Sequence, residues 1–340
     1  MLRISGMKAI AFGDPHADDV FQGRHINYWE NFMEVTDRIS RIVELEKPDL
    51  VILAGDLVGV RRGKSTIQDK NALLYLAKWL KSLPNVVVLR GNHDYNETSD
   101  YEFLSELMIF TSSKQTENMV EFTHPNAETP CFFHLVDYGQ ENEKIEIQAD
   151  AYNIGIMHNE FYVAGQEQQF HGEGAIELSS KKNFFGLDMV VSGHIHTPTN
   201  GMINFSYQDG FESAFANLGC PTRPGHGELY DQVWYMVWEY TEIEGTNMTD
   251  MRFRQQPFHL RPYTEIFRPD SDFIEDIKSK ELIDDYTGIQ KGKLEEILSS
   301  LTTSNMGSDD FFKQIDTLQV VATPESRDMA KKYLEMALNK

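Results

Sequence analysis

Four short stretches of this chain place metal-binding groups directly after apolar runs. Asp14 and His16 flank Pro15 after "AIAF", and Asp56 follows Gly55 after "LVILA". Asn92, His93 and Asp94 follow Gly91 after "VVVLR", and His194 and His196 follow Gly193 after "LDMVVS". A further histidine, His158, closes "YNIGIM". Taken singly, Asp-x-His and Gly-Asp read as well as turns, and a lone histidine reads as a core residue. Gly-Asn-His-Asp and Gly-His-x-His are less easily explained that way. Together and in this order, they point to a metal site. A mixed set of carboxylate, imidazole and amide oxygen suits manganese, iron or zinc better than calcium or magnesium, which favour all-oxygen shells.

The elements that must position these groups are visible in the hydrophobic pattern. Residues 8–12, 50–54 and 86–89 read as buried strands. Residues 28–46 and 66–83 lie between them with apolar positions at helical spacing, such as Phe32, Val35 and Ile39. Strands alternating with helices predict a parallel sheet covered by helices, and sites in such sheets form at the carboxyl ends of the strands. Further on, 131–136 and 144–148 read as a hairpin around "DYGQENE", and 152–157 and 187–191 as buried strands. Segments 202–207, 213–217, 233–241 and 251–258 follow and predict a second, more antiparallel sheet. The fold class expected is α/β: a two-sheet sandwich flanked by helices, α/β/β/α in layers. A small, mostly helical C-terminal appendage follows. The domain boundary is placed near residue 265, giving 1–265 and 266–340.

Composition narrows the function classes. The chain has 340 residues, 41% of them hydrophobic, so a large core is available. No run approaches the roughly 20 apolar residues of a membrane helix, and nothing at the start reads as a signal peptide. Met1–Gly6 precede a second methionine, Met7, and read as a short extension. Two cysteines, Cys131 and Cys220, make no disulfide framework and suit a reducing cytoplasm. The net charge of −22 repels nucleic acid at long range. A nucleic-acid enzyme of this kind needs metal ions, a local basic patch or a basic partner.

The ordered motifs resemble those of the calcineurin-like metallophosphoesterases over about residues 8–240. That resemblance implies two divalent ions, with manganese expected first and iron or zinc as alternatives. One ion would be held by Asp14, His16, Asp56 and His196, the other by Asp56, Asn92, His158 and His194. A metal-bridging hydroxide would attack a phosphoester. His93 would stand beside the phosphate as acid or charge stabiliser. Asp94 has two readings, an orienter of His93 or a capping residue.

Departures from relatives shape the substrate reading. Gly59 stands where Ser/Thr protein phosphatases resemble one another in having Asp, and Asp94 where they have Glu, which argues against that subgroup. Arg61, Arg62 and Lys64 follow the second motif and, with Arg90, read either as backbone-phosphate contacts or as solvated charges. The polar stretch 159–175 carries His171 and reads as a cleft-lining loop. "NLGCPTRPGHGE" resembles the Gly-Ser-Pro turn of SbcD-type DNA repair nucleases and their bacteriophage relatives, with Cys220 in the Ser position. The layout implies a DNA exo- or endonuclease. Its partners would be an SMC-like ATPase docked through the C-terminal helices and a second copy of the chain in a homodimer. Met329, Tyr333 and Met336 form an apolar stripe there that either packs on the parent domain or docks the partner. The alternative reading is a phosphoesterase for a cyclic nucleotide or nucleotide diester.

Overall fold

The computed structural model describes residues 1–18, 28–59, 67, 69–95, 99–164, 175–223 and 229–267. The chain divides into two units, Met1–Phe267 and Arg268–Lys340. The helical appendage expected over 266–340 lies outside the described residues, apart from the last turn of the first unit.

The elements in chain order are β1 (Leu2–Ser5), β2 (Lys8–Phe12), α1 (Tyr28–Glu46), β3 (Leu50–Leu53), α2 (Lys70–Ser82), β4 (Val86–Val88), α3 (Asp100–Glu106), β5 (Thr111–Ser112) and β6 (Met119–Thr123). There follow β7 (Cys131–Val136), β8 (Tyr152–His158), β9 (Phe161–Tyr162), β10 (Ile176–Glu177), β11 (Met189–Gly193), β12 (Ile203–Ser206), β13 (Glu212–Asn217), β14 (Gln232–Glu242), β15 (Thr249–His259) and α4 (Tyr263–Ile266). Helix α1 begins and ends where the periodicity placed it. Helix α2 starts later than expected, because Asp69 caps it by accepting from Asn71 N at 2.8 Å.

Two sheets form. The first has the order β15-β14-β2-β3-β4-β5, with β2 to β5 parallel and β14 and β15 antiparallel at its edge. The second has the order β1-β6-β7-β8-β11-β13-β12. Several expectations are corrected here. The second sheet is mainly parallel, with β7, β8, β11 and β13 all aligned. Segments 233–241 and 251–258 join the first sheet instead, since β14 pairs with β2. The hairpin at 131–148 does not form: β7 pairs antiparallel with β6, which has no counterpart in the sequence reading. Residues 1–6 are no loose extension, because β1 pairs with β6 at the sheet edge and buries Ile4.

Alternation along the strands builds three layers of core. Ile10, Phe12, Val51 and Leu53 face α1 and α2. Ala9, Ala11, Leu50 and Ile52, with Trp238 of β14 beside them, face the second sheet and meet Phe133, Ile154, Ile156 and Val191. Both faces of these strands are covered, so they read as continuous apolar runs rather than alternating ones. The far face of the second sheet packs on Phe161, Leu178, Phe184 and Leu187, around two short 3₁₀ turns. Among the described residues, no helix is long and apolar enough to cross a membrane.

Candidate metal centre

The parallel strands β2, β3, β8 and β11 all stop at one end of the sandwich, and the residues just past them converge. Asp14, His16, Asp56 and His158 are almost completely buried. Asp14, His16 and Asp56 form one group of donor atoms within 4.8 Å of each other, and Asp56, His158 and His194 form another. Asp56 is common to both. Its Oδ2 lies 3.2 Å from His158 Nε2 and 3.5 Å from His16 Nε2. Asn92 Oδ1 sits 2.8 Å from His194 Nδ1 and 3.1 Å from His158 Nε2. His196 Nε2 faces His16 Nε2 at 3.0 Å. His93 Nε2 stands 4.0 Å from Asp56 Oδ2, and its backbone N–H donates to Asp56 Oδ1 at 2.9 Å.

The local backbone explains the glycines in the motifs. A Cβ at Gly91 would overlap Asp56 Oδ1, and one at Gly193 would overlap Asp14 Oδ1. Three of the converging residues themselves hold left-handed backbone, His16 at φ 44°, Asp56 at φ 43° and His194 at φ 80°. Each costs on the order of 1–3 kcal/mol, a cost that clusters at functional sites. His158 Nδ1 lies 2.7 Å from Ala54 O. The carbonyl accepts the Nδ1 proton, which leaves Nε2 to a metal.

The electrostatics are those of a site built around positive charge. Burial raises the Asp14 carboxyl, against the pull of His158. For Asp56, burial works upward, but His158, His16 and His93 overcome it and hold the carboxyl well below the usual range. Burial would lower His158, yet the carboxylates of Asp56 and Asp14 raise it to about 10. Burial and the neighbouring His158 take His194 down to about 4. Asp14 Oδ1 is buried without a hydrogen-bond partner among the described residues. An orphaned buried carboxylate oxygen is an unfavourable arrangement that a divalent ion would relieve, and the two imidazole nitrogens 3.0 Å apart beside it are further donors for such an ion. The residues fit a dinuclear centre.

Of the remaining expected site residues, Asp94 and Arg90 are among those described. Asp94 is fully buried, and its carboxylate accepts from Leu57 N, Val58 N and Gly91 N at 3.1, 3.1 and 2.9 Å. Of its two readings, this geometry matches capping: Asp94 locks the Asp56 loop to the Asn92 loop. Arg90 pairs with Glu102 at 3.1 Å, and its guanidinium sits 4.5 Å from the Tyr95 ring centroid. Arg61, Arg62, Lys64 and His171 lie outside the described residues.

Two clamps had no clear signal in the sequence. Asn217 Nδ2 donates to the carbonyls of Ile195 and Thr197 at 2.7 and 2.6 Å, holding the His196 segment. Cys220 donates its N–H to His196 O at 2.9 Å and its thiol to Asp14 O at 3.2 Å. The Gly-Cys-Pro turn marked the place but not this role.

The family description "calcineurin-like phosphoesterase" matches residues 7–198. The SbcD component of the nuclease SbcCD from Staphylococcus saprophyticus subsp. saprophyticus is 24% identical over 224 residues, 58% of this chain and 59% of that protein. The chain thus spans about three-fifths of the length of that relative. Among solved structures, a novel archaeal phosphodiesterase covers 74% of this chain and 100% of its own, with TM-score 0.34 and 13% identity. The NAD nucleotidase NadN of Haemophilus influenzae covers 80% of this chain and 56% of its own, with TM-score 0.43 and 10% identity.

Proposed function

Because the chain belongs to the calcineurin-like phosphoesterase family and is a metal-dependent phosphoesterase, we propose that it is a phosphodiesterase acting on DNA, an exo- or endonuclease of SbcD-like type. The observation that carries the hydrolase reading is the junction of two donor groups at Asp56. The nuclease reading is supported by the relative that is itself part of a nuclease.

In this reading Asp14, His16, Asp56 and His196 hold one ion, and Asp56, Asn92, His158 and His194 hold the other. Manganese is the expected ion, with iron or zinc as alternatives. Two bound divalent ions supply an activated water and neutralise the phosphate oxygens under attack. The chain's own residues do the rest. Ala54 O keeps His158 in the tautomer that binds through Nε2. His194 N–H fixes Asp14 by donating to Oδ2 at 2.7 Å. His93, about one-third exposed at its side chain, reaches the open side of the site. There it donates to the leaving oxygen. Asp94 keeps the two loops in register from behind.

The relative is one subunit of a nuclease, and the same proposal gives this chain a partner protein, an SMC-like ATPase, docked by residues 266–340. A homodimer and a cytoplasmic location belong to the same proposal. Arg61, Arg62 and His171 keep their proposed substrate contacts.

The net charge of −22 favours a second reading, a small nucleotide diester as substrate. One panel separates the two. Purified protein with Mn²⁺ is given labelled linear DNA, a cyclic nucleotide, a chromogenic diester and a phosphomonoester. DNA cleavage is the expected result. Hydrolysis of the small diesters with DNA left intact would replace the nuclease reading by the second one.

A further inference from the structure

Tyr138 stands at the rim of the metal centre in the loop after β7. Its backbone N–H donates to Arg90 O at 3.0 Å, which ties this loop to the segment that leads into Asn92. Its ring centroid lies 5.6 Å from that of His194 and 6.4 Å from that of His158. The residue is 37% exposed. A tyrosine that serves a core usually satisfies its hydroxyl there. The Tyr138 hydroxyl bonds to no protein group among the described residues. A second ring belongs to the segment that Tyr138 is tied to: Tyr95, 64% exposed, carries the Arg90 guanidinium on its face. The rim thus presents aromatic surface beside the candidate metal ligands His158 and His194.

Every nucleobase has a π-face, and stacking on an exposed aromatic ring holds bases without regard to sequence. Resting on the phosphodiesterase reading above, we propose that Tyr138 is the platform on which the base next to the held phosphate stacks. The substrate class follows. A base on Tyr138 has left its own stack, so the preferred substrate is a single-stranded or frayed end rather than the interior of a duplex. Stacking by the ring face needs no hydroxyl and leaves affinity for the sugar phosphate alone unaffected.

Isothermal titration of dAMP and of 2-deoxyribose 5-phosphate into the Mn²⁺-loaded full-length protein tests this without requiring turnover. The wild type is expected to prefer dAMP by about tenfold. Tyr138→Phe should keep that preference within about twofold, and Tyr138→Ala should bring the two ligands close to parity by weakening dAMP alone. Equal binding by the wild type overturns the proposal, as does a preference that survives in Tyr138→Ala. A loss in Tyr138→Phe as large as in Tyr138→Ala would overturn it too, by assigning the effect to the hydroxyl. Weakening of both ligands together in Tyr138→Ala would overturn it by showing that the ring only supports His158 and His194. Failure of the nuclease reading is read separately, from oligonucleotide cleavage by the wild type.

Discussion

His93 and His158 are both imidazoles a few ångströms from Asp56, yet their surroundings assign them opposite tasks. His158 is sealed in, with Nδ1 bonded to Ala54 O and Nε2 aimed at Asp56. His93 keeps part of its ring in the open. Replacing His93 by Asn should therefore cut kcat by about 10²- to 10⁴-fold while bound Mn²⁺ stays at its wild-type amount, measured by steady-state kinetics and elemental analysis. Full activity in that variant would remove His93 from the chemistry and leave the metal centre intact. The raised basicity of His158 has its own consequence. Its proton is retained up to about 10 in the metal-free protein, so metal must displace it at any pH below that. Metal affinity should rise with pH between 6 and 8, by about tenfold per unit for one released proton. Titrations in buffers of different ionisation enthalpy would count that proton, and a pH-independent affinity would contradict the assignment.

At the scale of the element, the strand ends decide the precision of the site. Strand β11 pairs with β8 from Met189↔Ile154 to Gly193↔His158, so the last residue of each strand arrives at the same level. Gly193 then lets the backbone pass against Asp14. Gly193→Ala should push its methyl into Asp14 Oδ1 and the Ala54 carbonyl. The expected cost is about 1–3 kcal/mol of stability, as for other overpacked sites, together with a measurable loss of bound metal. Chemical denaturation and metal analysis on the same sample check both. A variant that keeps its metal would mean the loop has room to retreat.

At the scale of the whole first unit, the centre straddles two sheets. Asp14 and Asp56 come from the first sheet, while His158 and His194 come from the second. The core between the sheets therefore sets the spacing of the ligands. Trp238 is its largest fully buried side chain and packs edge-on against Phe133 at 5.0 Å. Trp238→Ala should cost about 3–5 kcal/mol. Mn²⁺ at about 100 times its dissociation constant should return about 2.7 kcal/mol to the wild type. The variant should gain less, because its ligands are less well spaced. Urea unfolding with and without Mn²⁺ measures both, and an equal metal-induced gain in the two proteins would show that the sheets hold their spacing without Trp238.

The residue types and order of the candidate ligand motifs were legible in the sequence, because few side chains suit a metal and each motif here closes a mostly apolar segment. Helix α1 was legible for a similar reason: its period is local. Pairing was not. The sequence reading placed 233–241 in the second sheet, but β14 lies beside β2, since its apolar faces fit both neighbouring cores and local pattern does not say which partner is taken. Met1–Gly6 read as an extension because so short a segment shows no period, yet β6 offers it an edge. The roles of Asp94, Asn217 and Cys220 were likewise decided only by the fold. Each acts on backbone groups of another segment, such as Leu57, Ile195 or Asp14, and a backbone partner carries no residue type for the sequence to display.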